Sequence, residues 1–223
     1  MTQRPVSAEL PAWLRPLASA ARAVRAHDMS RFLPPEDGSG RASAVLIVLG
    51  ETPDGPGVLL IERAADLRTH AGQVAFPGGA VDPGDDDHVA AALREAEEEV
   101  GLDPSSVSAI AVLPAIFIPV TGFVVTPVLA WWQAPHDIAP VDPIEVAHAA
   151  VVPIAELVDP ANRFRVRHPS GWVGPAFDVG GMFVWGFTAG LLDSVLTMGG
   201  WARPWDASTE RPLPPNLIGR PST

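Results

Sequence analysis

At 223 residues the chain is long enough for one ordinary domain with a sizeable core. A composition of 47% hydrophobic and 18% charged residues describes a folded globular protein, and a formal net charge of -11 argues against a nucleic-acid groove, which wants a basic field. All 15 basic residues are arginine and cysteine is absent, so lysine Schiff bases, disulfides, thiolate catalysis and zinc–thiolate sites are excluded. The missing cysteine fits a reducing cytoplasm. An acidic chain can still bind a phosphorylated small molecule, because a metal ion inverts the local field.

In chain order, residues 7 to 26 form an amphipathic helix candidate with Leu14, Leu17, Ala21 and Val24 on one side. It suits either packing on a domain or service as the arm of a homodimer. FLPPEDGSGR (32 to 41) is a Pro/Gly/Ser linker, so residues 1–40 read as an arm and linker. SAVLIVLG (43 to 50) and GVLLIER (57 to 63) read as a strand pair around the turn ETPDGPG, and QVAFPGG as a short strand running into a turn. VSAIAVLPAIFIP and FVVTPVLAWW give further strands, AHAAVVPIAELVD a strand and a short helix, and RFRVRHPSGWVGPAFDV a hairpin turning at HPSG. Residues 184 to 198 carry a helical stripe of Leu191, Leu192, Val195 and Leu196. Residues 41–200 thus form an α/β layered domain with a mixed sheet, and 201–223 a proline-rich, extended or disordered tail. The N-terminus lacks the apolar region of a signal peptide, and no stretch reaches roughly eighteen uninterrupted apolar residues, so no membrane span is expected. The seven tryptophans read as core or interface packing, and His70 and His88 as structural or exposed.

The chemistry concentrates in FPGGAVDPGDDDHVAAALREAEEEVGL, residues 76 to 102. On a helix, Val89, Leu93, Ala96 and Val100 form a buried stripe, while Glu95, Glu98 and Glu99, at i, i+3 and i+4, share a second face. These like charges adjoin near the helix C-terminus, where the helix dipole disfavours them. Arg94 can offset only part of that repulsion. Such clustered oxygen ligands suit Mg²⁺ or Mn²⁺; a solvated acidic face is the alternative. The preceding glycines let backbone approach a ligand closely, which a merely polar helix does not need.

Gly79, five residues, Asp85, eight residues, then Arg94-Glu95-Ala96-Glu97-Glu98-Glu99-Val100-Gly101-Leu102 resembles the Nudix box, G-x5-E-x7-R-E-U-x-E-E-x-G-U with U apolar. Two departures stand in its first half: aspartate for glutamate, and a spacer one residue longer. Just upstream, LLIERAADLRTHAGQVAFPGG (59 to 79) resembles the pattern of the coenzyme A pyrophosphatase subgroup, with Ile61 in place of Thr.

The resemblance implies a Nudix α/β/α sandwich that cleaves a nucleoside diphosphate derivative with Mg²⁺ or Mn²⁺. For the coenzyme A subgroup the products are 4′-phosphopantetheine and adenosine 3′,5′-bisphosphate. It implies metal-binding or base roles for Glu95, Glu98 and Glu99, a coordinating carbonyl at Gly79, an orienting role for Arg94, and substrate contacts from Arg63, Arg68 and the backbone at Gly78. Glu145, in VDPIEVAHA, is a candidate base from another loop, with an ordinary surface carboxylate as the alternative. Arg63 and Arg68 suit bidentate phosphate binding, or salt bridges to Glu62, Asp66 or the acidic helix. Rival readings keep the fold but change the substrate to ADP-ribose, dinucleotides or damaged nucleotides, or make the chain a nucleotide-binding module without turnover. A structural or partner-binding domain using the two chain ends is a third class.

Overall fold

A computed structural model describes residues 9–67 and 70–218. The N-terminal segment makes a 3₁₀ turn at Ala12–Leu14, then α1 (Arg15–Ala21) and α2 (Ala26–Met29). This corrects the single helix expected over 7 to 26, of which residues 7 and 8 lie outside the described residues. Pro16 is tolerated only in a first helical turn, which starts the helix at Arg15, and extended Arg25 (φ -113°, ψ 157°) separates the two pieces. The arm is part of the core: Leu14 and Leu17 are completely buried.

Two antiparallel strands follow, β1 (Arg41–Thr52) and β2 (Gly55–Arg63), with Thr52 opposite Gly55. The turn is therefore shorter, and β1 longer, than the residue pattern implies. The chain continues through β3 (Val74–Ala75), β4 (Gly78–Ala80), α3 (His88–Val100), β5 (Val107–Val112), β6 (Ile116–Ile118) and β7 (Phe123–Trp132). Then come β8 (Val146–Pro153), α4 (Ile154–Leu157), β9 (Arg163–Arg167), β10 (Val173–Val179), β11 (Met182–Val184), α5 (Gly186–Met198) and β12 (Glu210–Pro212). Helix α5 starts two residues later than expected because Met182–Val184 pairs with β10 as a strand.

The larger sheet runs β3-β2-β1-β7-β5, with β4 on β1, β6 on β7 and β8 on β2. It is mixed, since β1 and β7 are parallel while β1 and β2 are antiparallel. Strands β5 and β6 stop on either side of Pro127, where Leu113 N–H donates to the Pro127 carbonyl. Alternation along the central strands feeds two cores. Leu46, Val48, Leu59 and Ile61 face α3, while Ile47, Leu49, Val58 and Leu60 face the side covered by α1, α4 and α5. Helices on both faces of one sheet make an α/β/α sandwich.

A second sheet runs β11-β10-β9-β12. Its β9–β10 hairpin turns where expected, with Gly171 N–H donating to the His168 carbonyl. The segment expected as an extended or disordered tail is ordered in part: β12 pairs parallel with β9, and Leu213 and Leu217 are buried against Phe164, Val166 and Ala176. Non-local partners order it, which local composition cannot show. Among the described residues no helix is long and apolar enough to cross a membrane.

Candidate active site

Helix α3 is well specified at both ends. The Asp87 carboxylate accepts from the Val89 and Ala90 amides (2.8 and 2.9 Å), and Gly101 (φ 68°) closes the C-terminus by donating to the Glu97 carbonyl (2.9 Å). The three consecutive aspartates divide accordingly: Asp87 caps, Asp86 is exposed, and Asp85 turns inward.

The buried stripe differs from the expected one. Ala91, Ala92, Ala96 and Val100 are buried, whereas Val89 and Leu93 are only partly so. Small alanines let the helix lie close to the sheet, and the rotation carries Glu99 inward: it is 6% exposed. Glu99 consequently leaves the solvated face that Glu97 and Glu98 occupy. Its Oε2 accepts from the Gly78 amide (3.0 Å), and its Oε1 lies 3.6 Å from the Arg63 guanidinium. Burial pushes the Glu99 carboxyl up to about 7, against the opposing pull of the Gly78 amide and Arg63. The neighbouring Glu95 and Glu145 charges add to the rise.

Arg94 is the hub of the outer half. It grips Asp85 with two hydrogen bonds (both 3.1 Å), reaches Glu95 (3.0 Å) and Glu98 (3.1 Å), and donates to the Ala80 carbonyl (3.1 Å). That grip holds Asp85 below its usual carboxylate range, whereas partial burial raises Glu95. Asp85 is therefore an anchor for the arginine that orients two glutamates. Spacing alone did not assign this role, nor the approach of Asp82 to Arg94 (3.8 Å).

Gly78 and Gly79 lie in β4, paired with Val45 and Ala44 of β1. A Cβ on Gly79 would stand 2.5 Å from the Glu95 carboxyl carbon, so the missing side chain is the space Glu95 occupies. The loop before β8 closes the other side. Val141 N–H donates to the Glu99 carbonyl (3.0 Å), and the Glu145 carbonyl accepts from Ala64 (2.9 Å), just beyond Arg63. Glu145, on an exposed turn, is thus brought to the Glu99 end of the site. His70 and His88 stand apart from these contacts: His70 bonds Gln73 (2.9 Å), and His88 begins α3. Arg68 lies outside the described residues.

Among the described residues no three acidic or histidine side chains stand together as a ready-made cation cage. The donor set nevertheless fits a hard divalent ion. Glu95, Glu98 and Glu99 are oxygen donors on one helix, and Arg94 and Arg63 now neutralise them. Among the described residues the buried Arg63 Nε has no hydrogen-bond partner.

The high Glu99 carboxyl sets a pH dependence. Well below its ordinary 4.5, Glu99 is protonated whether folded or unfolded and contributes nothing. Between about 4.5 and 7 the folded form keeps a proton that the unfolded chain has lost, so stability falls as pH rises through that window. Above it the full cost, on the order of 3 kcal/mol, is present. With a chelator added, the Tm of the parent chain should fall from pH 5 to pH 8 relative to that of Glu99→Gln; parallel profiles would refute the assignment.

The mixed-sheet sandwich thus turns Glu95 and Glu99 toward the Gly78–Gly79 strand, with Arg94 and Arg63 beside them. The NUDIX domain family model matches residues 40–172. A Cronobacter sakazakii protein described as the uncharacterized Nudix hydrolase NudL is 45% identical over 162 residues, covering 68% of this chain and 79% of that protein. Its Salmonella paratyphi B counterpart is 42% identical over 183 residues, covering 74% and 90%. The crystal structure of the M. smegmatis Nudix hydrolase RenU superposes with a TM-score of 0.53 at 20% identity, over 78% of this chain and 98% of that one. The chain belongs to the Nudix family and is a hydrolase of phosphoanhydride bonds. Hydrolases of this family generally use divalent metals such as Mg²⁺ or Mn²⁺.

Proposed function

We propose that the protein hydrolyses coenzyme A or its thioesters, with Mg²⁺ or Mn²⁺, to 4′-phosphopantetheine (or its acyl form) and adenosine 3′,5′-bisphosphate. The observation that carries this reading is the continuity of the 59–79 pattern with the acidic helix: Arg63 of that pattern faces Glu99, the innermost acid of α3. One water adds across the P–O–P bridge, its hydroxyl going to one phosphorus and its proton to the departing phosphate.

Glu95, Glu98 and Glu99, with the Gly79 carbonyl, are the groups to hold a divalent ion, which when bound neutralises phosphate oxygens and lowers the pKa of a coordinated water. Arg94 orients Glu95 and Glu98 through the hydrogen bonds described. Glu98 is exposed beside this arginine, so it meets incoming water; Glu145 is the second candidate base, supplied from the opposite loop. Arg63 offers its guanidinium to an anionic oxygen, and the Gly78 backbone, beside Glu99, is assigned to the substrate by its place in the pattern. Arg68, by its place in the pattern, is assigned to the 3′-phosphate.

The test is incubation with coenzyme A and Mg²⁺ or Mn²⁺, with products identified by mass, beside a panel of ADP-ribose and dinucleotides. Cleavage of the panel but not of coenzyme A would overturn the substrate assignment, and tight nucleotide binding without turnover would favour a binding module. Within the proposal, Arg68→Ala raises KM about tenfold for coenzyme A and leaves dephospho-coenzyme A little changed, since a charged phosphate contact contributes about 1.5–3 kcal/mol. An equal loss on both substrates would sink the 3′-phosphate role.

A further inference from the structure

The C-terminal segment reaches the active site through a short chain of contacts. Strand β12 adds to the open edge of β9: Arg165 N–H donates to the Thr209 carbonyl (2.8 Å), and Leu213 N–H to the Arg167 carbonyl (3.0 Å). Glu210 lies between Arg167, which it bonds at 3.0 Å, and Arg165, whose charge also favours its ionised form. Past this clasp the chain turns through Pro215–Leu217 and buries Leu217 to 4% exposure.

Leu217 then does two things. It fills the third core with Phe164, Val166 and Leu213, and its Cδ2 lies 3.6 Å from where a Cβ on Gly72 would stand. Gly72 is in the left-handed region (φ 65°) and donates to the Arg63 carbonyl (3.1 Å), while Arg63 N–H donates to the Gln73 carbonyl (3.0 Å). This pair of bonds closes the turn that leaves β2. Its first residue, Arg63, faces Glu99, and its buried Nε has no partner among the described residues.

We propose that the segment Thr209–Leu217 is a brace for substrate binding, with Leu217 as a positioning residue that holds the Gly72–Gln73 turn, and through it Arg63, at the anion-binding end of the site. This rests on the reading of Arg63 as a substrate contact. The brace acts on binding and leaves the groups around Arg94 untouched. Its loss therefore weakens substrate affinity and spares turnover.

The experiment compares Leu217→Ala, Leu217→Met and Glu210→Arg in the full chain, using whichever pyrophosphate substrate the parent chain cleaves fastest. Leu217→Ala should raise KM about tenfold with kcat within twofold, and Leu217→Met should restore KM. Glu210→Arg leaves every buried side chain in place but sets a third arginine beside Arg165 and Arg167, so it loosens the clasp in a chain that still folds; KM should rise threefold or more. Hydrogen exchange, which needs no substrate, should quicken at the Gly72 amide in both Leu217→Ala and Glu210→Arg. Unchanged KM together with unchanged Gly72 exchange in folded variants, an equal loss in kcat, or Gly72 protection intact in a variant whose tail amides exchange freely would overturn the brace. If exchange quickens at Gly72 while KM stays fixed, the mechanical link stands and the Arg63 contact is what fails.

Discussion

Glu98→Gln is expected to lower kcat by about 10²–10⁴-fold while leaving Tm almost unchanged. The side chain is 60% exposed and, among the described residues, pairs only with Arg94, itself bound to Asp85 and Glu95, so its removal from the fold costs no more than about 1 kcal/mol. Glutamine keeps the length and a hydrogen-bonding oxygen but loses the negative charge that can hold a cation or accept a proton. Stopped assays with product detection, beside a thermal melt, separate the two quantities. A variant with near-parental kcat would move the base to Glu145 and remove Glu98 from the essential metal donors.

The paired glycines of β4 should give opposite signatures. A Cβ on Gly78 would strike the Ala44 carbonyl oxygen and stand 2.7 Å from Val45 Cα, at a residue whose φ of 155° already disfavours a side chain. Those atoms are backbone of the central strand β1 and cannot give way. Overpacking of this kind costs about 1–3 kcal/mol, so Gly78→Ala should lower Tm by roughly 5–10 °C. A Cβ on Gly79 meets instead the flexible carboxylate of Glu95, which can swing aside. Gly79→Ala should therefore melt close to the parent temperature while losing about 10–100-fold in kcat, the range of a displaced supporting group. Equal effects of the two substitutions on Tm would show that the Gly79 space is ordinary packing.

Local pattern carried the strand pair β1–β2, the acidic helix and the β9–β10 hairpin, because alternation, helical spacing and turn residues act over a few positions. The Nudix match rested on fixed spacings, and those survive without knowledge of the sheet. What local pattern missed depends on distant partners. The burial of Glu99 follows from three alanines drawing α3 onto the sheet. The grip of Arg94 on Asp85 spans a loop, and the order of the C-terminal segment comes from Phe164 and Val166, more than forty positions away. Proline punctuation was available and would have shortened the first helix, since Pro16 inside a helix beginning at residue 7 breaks the rule for interior positions.

The doubly gripped Asp85 has a consequence for how such a motif drifts. The loop before α3 carries one residue more than the family pattern, and the acid it delivers is one methylene shorter than that pattern's glutamate. Length gained in main chain and length lost in side chain meet at the same guanidinium. Asp85→Glu, or removal of one residue from that loop, therefore alters the reach that the two present hydrogen bonds to Arg94 span.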